Sequence, residues 1–189
     1  MKFQDAKKRS VEMFDSPEFI ERIRDEDSSM LKHLPLLQKI NQLGYITTES
    51  QAGNHKRGKA DGKPYELSER AYLSGFMMEE DAALFIKNMS LYTDKNAMYI
   101  PICDAEIPPS LDIPLTITRK KTGVTVETHM SPSLPKEAHD FFKKMVHLNK
   151  SERVVFIFCW DPMWNRLASG KNGLFIEIYN TLNKLSASH

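Results

Sequence analysis

Cysteine is scarce in this chain. Two residues in 189, Cys103 and Cys159, stand far apart and form no CxxC. A disulfide framework or a thiolate zinc site is therefore not expected. Both fall in apolar, strand-like segments, which predicts buried free thiols and a reducing, intracellular (cytoplasmic) setting. No apolar run approaches the roughly 18 residues of a membrane-spanning helix. The opening MKFQDAKKRS also lacks the apolar stretch of a signal peptide, so no membrane partner is expected. Charge of one sign is missing too: 26 Lys plus Arg face 25 Asp plus Glu, a net +1. No global field draws such a chain to nucleic acid, which leaves only a local basic patch to consider.

The common catalytic signatures are absent as well. There is no GxGxxG turn, no GxxxxGK[ST] loop and no GxSxG elbow. The six histidines (33, 55, 129, 139, 147, 189) include no HxH or HExxH pair. His139 and His147 share one expected helix but lie too far apart to ligate from neighbouring turns. Surface or capping roles are expected for all six, with no catalytic and no metal residues. Trp160-Asp161-Pro162 reads as a turn after an apolar strand, and Asp161 is a candidate only because loops after strands often carry function.

What is present describes an ordinary globular protein, 41% hydrophobic and 27% charged. Residues 1–27 read as a charged N-terminal helical extension. Ser16-Pro17-Glu18 is a helix start there, and the few apolar residues pack against the domain without forming its core. A helix is expected over 28–43, capped by Ser28 or Ser29 and carrying Leu31, Leu34, Leu37, Ile40 and Leu43 at near-helical spacing. Pro35 predicts that it kinks or starts late. A strand follows at 45–48. Residues 52–64 hold three glycines, one proline and four Lys or Arg. They read as a surface loop, either merely solvated or a lid over an anionic or nucleotide-like ligand.

Beyond that loop the patterns predict an extended segment over 66–77 and a helix over 78–91. A strand at 97–103 and an irregular proline-rich connection at 107–114 come next. A hairpin joins 115–118 to 124–128, and a helix spans 135–148 with Ala138, Phe141, Phe142, Met145 and Leu148 inward. The strand at 153–160 should be central, and a last helix covers 174–185. The order predicts an α+β fold: one domain, residues 28–189, of mixed β-sheet(s) with packed amphipathic helices.

One stretch concentrates polar chemistry. Thr47, Thr48, Glu49, Ser50 and Gln51 run together between an apolar strand start and the basic loop. Hydroxyls and an amide both donate and accept, and Glu49 can hold a cation or a ribose diol. A polar strand end that satisfies its own backbone has the same composition.

Residues 44–51, GYITTESQ, together with residues 69–76, ERAYLSGF, are similar to the pattern G-[apolar]-[LI]-T-x-x-S-Q…[QE]-[RK]-A-Y-L-x-x-F. That pattern belongs to the C-terminal regulatory domain of eukaryotic methylenetetrahydrofolate reductase and to small related proteins. The later order of elements is also similar, so the likeness covers about residues 28–185. It implies a stand-alone binding module for S-adenosylmethionine or S-adenosylhomocysteine, acting as a sensor or regulator. It also implies a homodimer and no reductase activity, since the chain has no room for the catalytic barrel. Carried over, it implicates Thr47, Thr48, Glu49, Ser50 and Gln51, then Thr116 and Thr128 of the hairpin, and Ser28 and Ser29. Three positions depart from the pattern: Ser28 replaces an acidic residue, Ala52 replaces a proline, and the Lys-rich loop replaces a Gly- and Trp-containing turn. An interaction module that keeps the fold without the ligand, or an enzyme using Glu49 as general base on such a metabolite, are the alternatives.

Overall fold

The computed structural model describes residues 1–60, 62–103 and 112–187. Two helices open the chain, α1 (Phe3–Met13) and α2 (Pro17–Asp27), followed by a 3-10 turn over Ser28–His33 and α3 (Leu34–Gln42). The strands β1 (Ile46–Ala52), β2 (His55–Ala60) and β3 (Lys63–Met78) come next, then α4 (Glu79–Tyr92) and β4 (Asn96–Tyr99). The hairpin of β5 (Ile113–Lys120) and β6 (Gly123–Met130), α5 (Lys136–Met145), β7 (Val154–Trp164) and α6 (Leu174–Ser186) complete the α+β fold. Among the described residues every ladder is antiparallel, and the parallel component is the isolated Ile102–Leu134 bridge.

The long strand β3 organises the sheet. Its C-terminal half pairs with β1 on one edge and β7 on the other, while its N-terminal half pairs with β2 and β5. The sheet therefore forks near residues 69–71, with β4 outside β7 and β6 outside β5. Alternation along β3 and β7 gives each face its own core. Leu73, Met77, Ile157 and Cys159 point toward α3, α4 and α6, whereas Phe76, Phe156 and Phe158 point toward α1 and α5. Coverage on both faces explains why β7 is almost continuously apolar and confirms its expected central place.

Several local expectations hold for identifiable reasons. Ser16 caps α2 by accepting from Phe19 N, with Pro17 at the first turn. Pro35 sits in the first turn of α3, so the helix starts late, as expected, after the 3-10 turn.

Others are corrected. Residues 55–60 are strand β2, hydrogen-bonded to β3, so the basic segment is half of a hairpin and no loose loop. The N-terminal helices contribute to the core: Phe3, Ala6 and Phe14 are buried. On α5, Phe141 and Met145 are exposed and His139 and Lys143 are buried instead. Apolar spacing alone mis-set that helix's phase. His139 fits because its ring stands edge-on to Phe76, and Lys143 because its ammonium donates to the carbonyls of Lys150 and Glu152 at 3.1 and 3.3 Å. His33 is wholly buried as well, edge-on to Phe175, with neither ring nitrogen hydrogen-bonded, and burial lowers its pKa. Thus His33 and His139 are core residues, against the expected surface or capping roles. Cys159 is buried with its thiol pushed up to about 12, while Cys103 is half-buried. The strand expected over 97–103 stops at Tyr99, and residues 104–111 of the proline-rich segment lie outside the described residues.

The expected Asp-Pro turn is a bulge within β7. Trp160 and Trp164 face Tyr72 and Arg70, so three residues of β7 oppose the single Ala71. Asp161 accepts from Met163 N inside it and takes two 2.7 Å bonds from Arg166. Lys95, with no side-chain exposure, stands 3.7 Å from Asp161 and also pairs with Asp94, which Arg166 contacts at 2.6 Å. Two acids and two bases thus neutralise each other where β7 meets the turn before β4, which gives Asp161 a structural task. Asp161→Ala leaves Lys95 and Arg166 with only the half-exposed Asp94. Denaturant unfolding should show a loss of about 3–5 kcal/mol. Lys95→Met, which leaves Asp161 both bonds from Arg166, should cost clearly less.

Candidate functional site

The two motif segments are direct partners. Ile46 pairs with Phe76, Thr47 with Gly75, Gln51 with Tyr72 and Ala52 with Ala71. Their spacing in sequence is therefore the register of a β-ladder. Thr48 is an extra residue in that ladder, since Thr47 faces Gly75 while Glu49 faces Ser74. Its hydroxyl is 3.0 Å from that of Ser74. Gly75 makes the close approach feasible, because a side chain there would meet the Ile46 carbonyl oxygen at 2.2 Å.

Against this strand lies a cavity of about 680 Å³. Thr47, Thr48, Glu49, Ser50 and Gln51 form one wall, with Glu69 and Tyr72 of β3 beside them. The opposite wall comes from the N-terminal helices: Phe14 at the end of α1, then Phe19, Arg22, Ile23, Glu26 and Asp27 of α2. Met30 and Leu34 supply apolar floor, and Met145 to His147 close one end.

Asn41 sets the distance between the two walls. Its side chain is wholly buried in α3. The amide oxygen accepts from Ser10 Oγ of α1 at 2.7 Å and from Thr47 N at 3.0 Å. The amide nitrogen donates to Leu37 O at 2.8 Å and to Thr47 Oγ1 at 3.0 Å. Gln38 adds a second tie, donating to Val11 O and to Asp15 at the joint between α1 and α2.

Four carboxylates line the cavity (Glu26, Asp27, Glu49, Glu69) against one arginine, Arg22, which pairs with Glu26 at 4.0 Å and lies over the Phe19 ring at 5.2 Å. Glu49 is exposed on the cavity side, its carboxylate makes no hydrogen bond or ion pair among the described residues, and partial burial raises its pKa. Glu69 is raised by burial too, partly countered by Lys56. Tyr72 is pushed up by burial and by the negative charges of Glu49 and Glu69. Such a space favours a cation: Glu49 and Glu69 offer negative charge beside the aromatic rings of Phe14 and Tyr72, while Arg22 already covers Phe19 and pairs with Glu26.

The remaining candidate residues behave differently. Gln51 borders the cavity, but its amide is engaged inside the sheet. It donates to Arg70 O and Leu115 O and accepts from Thr116 Oγ1 at 3.2 Å. Thr116 therefore reaches the cavity only through Gln51, and it ties the fork of the sheet together. Thr128 faces Thr116 in the ladder, on the exposed outer strand β6, and does not line the cavity. Ser28 and Ser29 also stay outside it. Ser29 donates from its N and Oγ to Asp27, so the acidic residue at this position of the cavity is Asp27.

Sequence reasoning missed Glu69 and Tyr72, although both stand in or beside the AYL motif, and pairing the two motifs in register would have placed them. It also missed the α2 wall, for which an aromatic and charged helix start gave no specific signal. Among the described residues no group of three or more His, Cys, Asp or Glu is arranged to hold a metal, and no helix is long and apolar enough to cross a membrane. Comparison of the chain with protein-family models and with curated proteins finds no match.

The Glu49 carboxyl yields a signed expectation. A carboxyl whose pKa is higher folded than unfolded binds its proton more tightly in the native state, so its ionisation destabilises the fold as pH rises above the unfolded value. Glu49→Gln should therefore melt higher than wild type at pH 7. The difference should vanish below about pH 4, where Glu49 is protonated in both states. Thermal melts from pH 3.5 to 7.5 read this directly.

Proposed function

We propose that the protein binds a small cationic metabolite of the S-adenosylmethionine class in the cavity between α2 and β1, as a sensor or regulatory module. The observation that carries this reading is the unpartnered Glu49 carboxylate, set among hydroxyls beside Tyr72 in an acidic cavity with aromatic sides. The volume, about 680 Å³, falls in the range of small-molecule sites. The likeness of residues 44–51 and 69–76 to the regulatory-domain motif supports the ligand class. The pairing of the two motifs across β1 and β3 gives that likeness a physical basis. Thr47 Oγ1 already accepts from Asn41 and Thr48 Oγ1 bonds Ser74 Oγ, so Glu49 and Ser50 are the residues with most capacity left for a ligand.

A sulfonium differs from its demethylated thioether by one positive charge at nearly the same shape. An acidic cavity distinguishes the two by electrostatics alone. Isothermal titration should therefore give tighter binding of S-adenosylmethionine than of S-adenosylhomocysteine, by about tenfold for one partly shielded charge pair. Glu49→Gln should narrow that ratio toward one without preventing binding of either. Absence of heat from both ligands at millimolar concentration, with a folded protein, would sink the reading.

A further inference from the structure

The basic segment that looked like a loop has a defined shape that the cavity does not use. In the sheet formed by β2, β3, β5 and β6, Gly58 pairs with Tyr65 and Tyr65 with Lys120. Lys56 and Lys63 lie on the same face, two positions from Gly58 and Tyr65 along their own strands. Tyr65 leans over the backbone of β2: a Cβ at Gly58 would meet two of its ring carbons and its hydroxyl oxygen at 2.7–2.9 Å. The glycine thus gives the ring a seat, and Tyr65 stays half-buried beside three exposed lysines. None of Lys56, Lys63 and Lys120 has a salt-bridge partner among the described residues. Arg57, Lys59 and Arg119 stand on the reverse face of the same strands, and Lys121 follows in the β5–β6 turn. Arg57 stands 3.8 Å from Glu66, and Arg119 donates to Ser68 Oγ at 2.8 Å.

Seven cations at the ends of two adjacent hairpins repel one another, and a protein with net charge +1 has acids to spare for neutralising them. Around the seated aromatic ring, Glu66 faces Arg57 and Arg119 and Glu69 faces Lys56, whereas Lys59, Lys63, Lys120 and Lys121 have no salt-bridge partner among the described residues. The described residues at the two tips, Lys59, Gly62, Lys63, Lys120, Lys121, Thr122 and Gly123, carry no large apolar side chain that would enter a lipid surface, and the exposed Val124 and Val126 beyond them lie on the face away from Tyr65. A phosphate backbone with unpaired bases meets both features: lysines for the phosphates and a ring on which a base stacks.

We infer that the two hairpin ends form a binding surface for single-stranded nucleic acid, with Tyr65 as the stacking platform and Lys56, Lys63 and Lys120 as phosphate contacts. This surface shares no lining residue with the cavity; Lys56 is the member that also acts on a cavity residue, Glu69.

Fluorescence anisotropy with a 5′-labelled mixed-sequence 20-nucleotide DNA strand tests it on the full chain. Micromolar binding at low salt is expected, with a log–log salt slope of about −2 for three phosphate contacts. Lys63→Glu and Lys120→Glu should each weaken binding by tenfold or more, and Tyr65→Ala by about fivefold or more. Tyr65→Phe should keep nearly wild-type affinity, which separates stacking from loss of the hairpin. Lys8→Glu, on α1, should change little. No binding would overturn the inference. So would binding that survives both lysine reversals in proteins with wild-type melting temperatures. Preferential capture by phosphatidylserine vesicles, lost in the same variants, would overturn it in favour of a membrane surface.

Discussion

The buried side chain of Asn41 is the interaction on which the geometry of this molecule depends most. A primary amide offers two donor and two acceptor positions, and all four are used: Ser10, Leu37 and both the N and Oγ1 of Thr47. Away from water a half-satisfied amide is costly, so this arrangement tolerates little displacement of either neighbour. Ser10 belongs to α1 and Thr47 to β1, so one side chain fixes a helix and a strand relative to each other. Helix α2 inherits its position from α1 through a short joint, which Gln38 holds from α3. The helix contributes no buried residue of its own. The cavity is therefore the space left between a strand and a helix whose separation is set by these hydrogen bonds together with the packing of Phe14, Phe19, Ile20 and Ile23 on the core.

A second constraint comes from β3. Being flanked on both edges along its length, it must supply a ladder on each side and a core residue on each face. Leu73 and Met77 serve one core and Phe76 the other. Gly75 yields space to the bulge at Thr48. At the fork, Gln51 spans from β1 to β5 by bonding Arg70, Leu115 and Thr116. A polar residue that resembled a ligand contact thus also holds the two halves of the sheet in relation to each other.

Local rules read much of this fold correctly. The helix cap at Ser16, the late start of α3 at Pro35, the β5–β6 hairpin and the central β7 all follow from short-range chemistry. What misled was composition where tertiary pairing decides. Residues 55–60 look like a loop because they are polar and glycine-bearing, yet β3 supplies the partner strand that orders them. On α5 the buried positions include a histidine and a lysine, each acceptable only because specific partners wait for it. The polar wall Thr47–Gln51 was legible as a run of side chains. The opposing wall was not, because nothing in residues 14–27 shows that Asn41 and Gln38 will hold α1 and α2 over it. Thr128 was misplaced for a related reason: it shares a ladder rung with Thr116 but sits on the solvent edge.

Hydrogen–deuterium exchange, with and without saturating S-adenosylmethionine, tests the central claim that the space between α2 and β1 is the ligand site. The account predicts slowed exchange in residues 17–27 and 46–52, the two walls, with residues 113–130 unchanged. Slowed exchange confined to the β5–β6 hairpin, or no change at ligand concentrations that give measurable binding heat, would contradict it.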